Sequence, residues 1–151
     1  MKIEIDDLSR PQIHTLLEEH LANMRRISPP ESVHALDLDK LRRPEITFWS
    51  AWDDGTLVGC GALKDLGAQH GEVKSMRTPE SLRRRGAGRA LLDTIIATAR
   101  SRNYERLSLE TGSQPAFQPA QALYASVGFT RCGPFADYTE DPHSVFMTIA
   151  L

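Results

Sequence analysis

Ser81-Leu82-Arg83-Arg84-Arg85-Gly86-Ala87-Gly88-Arg89-Ala90-Leu91-Leu92 is the stretch on which the reading of this 151-residue chain turns. Two glycines one residue apart open a segment in which Leu91, Leu92, Ile95, Ile96 and Ala99 recur at helical spacing, which predicts a long helix over about residues 86–103. Before it, Gly71-Glu72-Val73-Lys74-Ser75-Met76-Arg77 reads as a strand, stopped by Thr78-Pro79-Glu80. The first-turn amides of such a helix have no intrahelical partner. They point outward together, with the positive end of the helix dipole behind them and three consecutive arginines in front. That cradle suits a diphosphate, and the glycines let backbone approach it closely. It is not a Rossmann loop, because the third glycine of GxGxxG is missing and no first βα unit precedes it. Nor is it a Walker loop, because no Gly-Lys-Ser/Thr follows.

Outward from this loop the chain is a continuous series of elements without repeats or low-complexity linkers. Ile3 and Ile5 alternate with Lys2, Glu4 and Asp6, as in a half-buried strand. Ser9-Arg10-Pro11 starts a helix with Ile13, Leu16, Leu17, Leu21 and Met24 on one face, ending near Ser28-Pro29-Pro30, and a shorter helix is expected around Leu36 to Arg42. Ile46 to Trp52 and Leu57 to Leu66 are strand-like runs joined by Asp53-Asp54-Gly55-Thr56, a strong hairpin signal. Beyond the long helix come a short strand from Arg106 to Glu110 and a helix from Pro119 to Val127 capped by Gly128. Phe129 to Cys132 and Val145 to Ala150 are closing strands, separated by a loop rich in Pro, Asp and Tyr. The order β-α-α-β-β-β-α-β-α-β-β indicates one α/β layered domain over residues 1–151, built on a mixed sheet.

Composition narrows the function. With 40% hydrophobic, 25% charged and 7% aromatic residues, disorder, a collagen-like fibre and a disulfide scaffold are poor readings. No apolar run approaches the roughly 20 residues needed to span a bilayer. Asp6 and Asp7 fall where a secretory signal needs an apolar core, so a cytoplasmic protein without a membrane partner is expected. Cys60 and Cys132 are isolated and read as plain buried thiols. His14, His20, His34, His70 and His143 show no metal-ligand spacing, so no metal is expected. Trp49 and Trp52, three apart, belong on opposite faces of a strand.

The net charge of −2 conceals an asymmetry: Lys74 to Arg106 holds nine basic residues against three acids, +6 in all, and the remainder carries −8. A basic segment is one footprint of nucleic-acid binding. Here no aromatics interleave the arginines, and Arg100 and Arg102 lie at the far end of the helix from the loop, so no nucleic-acid partner is expected.

At the loop the sequence resembles the GNAT superfamily of N-acetyltransferases. Arg83-Arg84-Arg85-Gly86-Ala87-Gly88 realises the family's acetyl-CoA pattern Arg/Gln-x-x-Gly-x-Gly/Ala; Glu72 to Arg77 followed by Thr78-Pro79-Glu80 looks like its fourth strand; and Ala122-Leu123-Tyr124-Ala125-Ser126-Val127-Gly128-Phe129 looks like its LYxxxGF motif. The resemblance covers nearly all elements in order. It implies a mostly antiparallel mixed sheet with helices on both faces, splayed between the fourth and fifth strands. It also implies direct transfer of an acetyl group from acetyl-CoA, as co-substrate, to a primary amine of a small molecule or peptide. Carried over residue by residue, Arg83, Arg84, Arg85, Gly86, Ala87, Gly88 and Arg89 take the diphosphate, and the backbone of Met76, Arg77 and Thr78 pairs with the pantetheine arm.

Such a transfer needs a proton for the departing thiolate and a way to deprotonate an ammonium. Tyr124, five positions before Phe129, is the expected acid, since a phenol near its usual pKa of about 10 stays protonated at neutral pH. Glu72, eleven residues before Arg83, is the expected base; Glu110, across the splayed sheet, is the alternative base or an ammonium anchor, and ordered water can serve instead of either. Residues 10–43 and 133–144 are expected to shape the acceptor site. Their acids (Glu18, Glu19, Glu31, Asp37, Asp39; Asp137, Glu140, Asp141) suit a cationic amine, and His143 lies in the second segment. A catalytically idle acyl-CoA sensor is the rival reading, and homodimerisation is common among relatives.

Overall fold

Asp54 and Gly55 both adopt left-handed φ, +52° and +80°, the conformation of a two-residue hairpin turn, and they fold β2 (Ile46–Asp53) back onto β3 (Thr56–Asp65). The computed structural model describes residues 1–32, 38–82 and 86–151. The other elements are β1 (Lys2–Ile5), α1 (Pro11–Ile27), α2 (Leu38–Leu41), β4 (His70–Arg77), α3 (Ala87–Ser101), β5 (Arg106–Gly112), α4 (Gln118–Ser126), β6 (Thr130–Cys132) and β7 (Ser144–Ala150). The element order is the one read from the sequence. Of the short helix expected over Leu36 to Arg42, the part before Leu38 lies outside the described residues, as does His34.

Among the described residues the seven strands form one sheet in the order β1-β2-β3-β4-β5-β7-β6, in which β4–β5 is the parallel pair. On one face lie α3 and α4. Leu91, Leu92, Ile95, Ile96 and Ala99 are all buried there against Val73, Leu107, Leu109 and Met147, as the helical spacing predicted. On the other face Ile13, Leu16 and Leu17 of α1 and Leu41 of α2 pack against Phe48, Cys60 and Ala62. Trp49 enters the first cluster and Trp52 packs on the second, under the Arg10 guanidinium at 4.6 Å.

Three details differ from expectation. Ile5 is 70% exposed although Ile3 packs on the core, because β1 is an edge strand with a single neighbour. Leu21 and Met24 are only half-buried, so the second half of α1 leaves the core. Cys60 is buried, its thiol pushed up to about 12 by desolvation, whereas Cys132 is half-exposed.

Two features of β4 build the site. First, it pairs with β5 only through His70↔Arg106, Gly71↔Leu107 and Glu72↔Ser108; beyond these, both strands run on unpaired with each other to Arg77 and Gly112, leaving a wedge. Second, Cys60↔Arg77 and Ala62↔Lys74 set two steps of β3 against three of β4, a bulge at Ser75, whose φ is +55°. The extra residue shifts the alternation: Glu72, Lys74 and Arg77 face α1, while Val73 and Met76 face α3.

Candidate active site

The wedge brings two predicted carboxylates, Glu72 of β4 and Glu110 of β5, to the α1 face of the sheet. Glu72 is 3% exposed. Its Oε2 accepts from Lys74 Nζ at 2.9 Å and from the Tyr138 hydroxyl at 2.5 Å, and Lys74 Nζ also donates to the Tyr138 oxygen at 2.9 Å. An oxygen holding two donors in a closed triangle is poorly placed to take a proton from a third group. Glu110 stands differently. Burial pushes its carboxyl up to about 7; the Ser144 hydroxyl, donating at 2.9 Å, and the Lys74 charge pull it down, while Glu72 and Asp141 push it further up. A carboxyl near neutrality is matched to general-base work at physiological pH.

Tyr124 approaches the wedge from the opposite face. Gly128, with φ +110°, ends α4 and returns the chain so that Phe129 packs edge-on to the Tyr124 ring, centroids 5.9 Å apart. Desolvation first, and then the Glu110 charge, raise the phenol above its ordinary value, so it stays protonated. Tyr124 is thus a phenol held protonated, and Glu110, whose charge it feels, a carboxyl near neutrality.

At the glycine loop, Gly86 takes φ +84° at the N-cap of α3, and a Cβ there would meet nothing within 4 Å. The Ala90 amide closes the first turn on the Gly86 carbonyl at 3.0 Å, and the amides before it have no intrahelical acceptor. Gly88 has a different task. A Cβ there would stand 3.2 Å from Leu123 Cδ2, so its absence seats α4 against α3. Ala87 is buried, and the Arg89 side chain runs along the helix to Asp93 at 3.3 Å. Arg83, Arg84 and Arg85 lie outside the described residues. Met76 packs beside Gly61, where a Cβ would meet its sulfur at 2.6 Å; Arg77 reaches Glu19 of α1 at 3.4 Å; the backbone from Met76 to Thr78 follows the unpaired end of β4.

Sequence reading missed Tyr138, Lys74, Ser144 and Gln114. All four depend on which strands border the wedge and where the loop before β7 crosses it, and no local spacing encodes that. His143 lies exposed at the mouth, its Nδ1 3.3 Å from Gln114 Nε2. A concavity of about 910 Å3 lies elsewhere, around Lys64, Asp65, Glu105 and Arg106 at the opposite end of β4 and β5; Asp137 of the expected acceptor segment lines it, and none of the expected catalytic or cofactor-binding residues does.

Residues 13–129 match the model of the acetyltransferase (GNAT) family. The chain belongs to this family. An uncharacterized N-acetyltransferase of Bacillus subtilis (strain 168), YsnE, is 60% identical over 148 residues, covering 98% of each chain. Another of Escherichia coli (strain K12), YedL, is 49% identical over 99% of this chain and 94% of its own. A solved structure from Klebsiella pneumoniae subsp. pneumoniae MGH 78578, a candidate acyl-CoA N-acyltransferase, is 27% identical and superposes with a TM-score of 0.80, covering 99% of this chain and 97% of that one. The seven-stranded sheet splayed between β4 and β5 is thus the GNAT fold, and the protein is an acetyltransferase of that family. No helix among the described residues is long and apolar enough to cross a membrane, and no group of His, Cys, Asp or Glu among them could hold a metal ion.

Proposed function

We propose that the protein transfers an acetyl group from acetyl-CoA directly to a primary amine of a small molecule or peptide, with Glu110 as general base and Tyr124 as general acid. The observation that carries this reading is the pairing, across the β4–β5 wedge, of a buried carboxyl near neutrality with a buried phenol held protonated. Acetyl-CoA supplies an activated acyl group on a thiol leaving group. The residues present fit it: the open Gly86 turn with the free amides of α3 suits its diphosphate, aided by Arg83, Arg84 and Arg85, and the unpaired backbone at Met76, Arg77 and Thr78 offers a strand edge for its extended arm. Glu110 takes a proton from the acceptor ammonium. Tyr124 donates one to the departing sulfur. Glu72, tied to Lys74 and Tyr138, holds the wall of the site and the loop before β7.

Thiol release from acetyl-CoA over a panel of amines tests this reading. Turnover is expected to fall about 10²–10⁴-fold in Glu110→Gln and in Tyr124→Phe; CoA binding with unchanged turnover in both variants would remove them from the reaction.

A further inference from the structure

Three buried polar atoms have no hydrogen-bond partner among the described residues: Arg77 Nε, His20 Nδ1 and Gln114 Oε1. All three lie on or against α1: His20 belongs to it and feels the Arg77 charge, and Arg77 and Gln114 each contact it. Arg77 ends β4, Gln114 follows β5, and α1 crosses between them. Its Glu19 contacts Arg77, while Ile27 and Ser28 at its end receive the Gln114 amide at 3.4 and 3.3 Å. From His20 to Ile27 the helix advances roughly 10 Å at 1.5 Å per residue, the width of a small ligand. Its apolar face here, Leu21 and Met24, is the part that leaves the core.

An unpaired buried donor is unfavourable, and native proteins keep few of them unless a ligand completes them. Arg77 has one ion pair, at 3.4 Å from a single Nη2 to Glu19, whose side chain is 42% exposed against 12% for Arg77. That is a long contact with a half-solvated carboxylate, weak enough to yield. The guanidinium edge formed by Nε and an Nη matches the two oxygens of a carboxylate. Beside it, burial and the Arg77 charge lower the His20 ring to about 4, so it is neutral and adds no second cation. Of the acids expected to attract a cationic acceptor, Glu19 is committed to Arg77, and the expected base Glu72 is committed to Lys74, which leaves a cation at the rim and Glu110 within.

We propose that the acceptor is an aminocarboxylate, its free carboxylate held by the Arg77 side chain beside His20 and its amine directed to Glu110. The inference rests on the acyl-transfer reading of the same site and adds the class of acceptor. Arg77 then serves both substrates, the donor through its backbone and the acceptor through its side chain.

The test uses matched pairs: α-amino acids, β-alanine and γ-aminobutyrate against their amides. Each is followed by thiol release from acetyl-CoA and by calorimetric titration into protein saturated with CoA. Acids are expected to exceed their amides by about 10–100-fold in kcat/KM or in affinity, the worth of a charge-assisted pair. Arg77→Gln is expected to bring the ratio near one, and Arg77→Lys to restore part of it. Equal use of acids and amides, a ratio indifferent to both substitutions, or no binding of any acid would overturn the inference while leaving transfer to other amines standing. Arg77-dependent binding of acids without thiol release would uphold the carboxylate site and overturn the transfer reading instead.

Discussion

The Tyr138 hydroxyl donates to Glu72 Oε2 at 2.5 Å across 66 positions of sequence, and Lys74 closes the triangle from the other side. This contact pins the loop before β7 to the rim of the wedge, and Phe135 and Tyr138 stack with Phe146 beneath it. Tyr138→Phe keeps the ring and removes the donor. It is expected to lower stability by about 1.5–3 kcal/mol, the range for a hydrogen bond to a charged group. Urea denaturation measures this, and a loss within error would show that the triangle does not hold the loop.

With Glu110 as the proposed base, its titration sets the expected pH dependence of the reaction. As a base it works unprotonated, so kcat/KM is expected to rise with pH through about 7 and then level off. Glu110→Gln removes that limb along with most of the activity. A profile in which the limb survives the substitution assigns it to another group.

The same carboxyl affects stability with a definite sign. Its folded value, about 7, exceeds the ordinary 4.5, so the folded protein holds the proton more tightly and loses stability as pH rises between those values. His20 opposes it: its ring falls from 6.5 to about 4, so stability rises with pH across that interval. The wild-type curve therefore contains a partial cancellation. The difference between Glu110→Gln and wild type isolates Glu110 and is expected to grow in the variant's favour from pH 4.5 to 7 in chemical denaturation; a flat difference contradicts the raised carboxyl.

Gly112 offers a structural test. A Cβ on it would overlap the Phe117 ring, which lies directly over the backbone at the end of β5. Gly112→Ala is expected to cost about 1–3 kcal/mol by overpacking and, by moving the strand that carries Glu110, to reduce turnover as well. Gly133→Ala, with nothing within 4 Å of the added carbon, is the control, and equal Tm shifts in the two would refute the argument.

The sequence displayed what is local and periodic. The hairpin at Asp54-Gly55, the buried face of α3, the opposed faces of Trp49 and Trp52 and the end of α4 at Gly128 all follow from spacing and backbone chemistry, and the structure has them. Glu110 and Tyr124 were named through family resemblance. Their ranking was not legible, because Glu72 and Glu110 are both strand carboxylates until Lys74 and Tyr138 are seen on one of them. Gly86 and Gly88 looked equivalent, and only the position of Leu123 separates a ligand turn from a helix contact. Arg77, read as a backbone position, gained a side-chain role from α1, which lies far from it in sequence.

Ser75 works as a phase shift in β4. Regular pairing of the same residues with β3, with Ser75 taking its turn in the alternation, would exchange the outlooks of its two successors, presenting the Met76 thioether to the acceptor and sending the Arg77 guanidinium toward the α3 core. The character of the acceptor wall, charged or greasy, is therefore set by how this strand is paired with β3 as much as by the identity of its residues. A relative with the same residues in this strand but without the bulge would be expected to select a different amine.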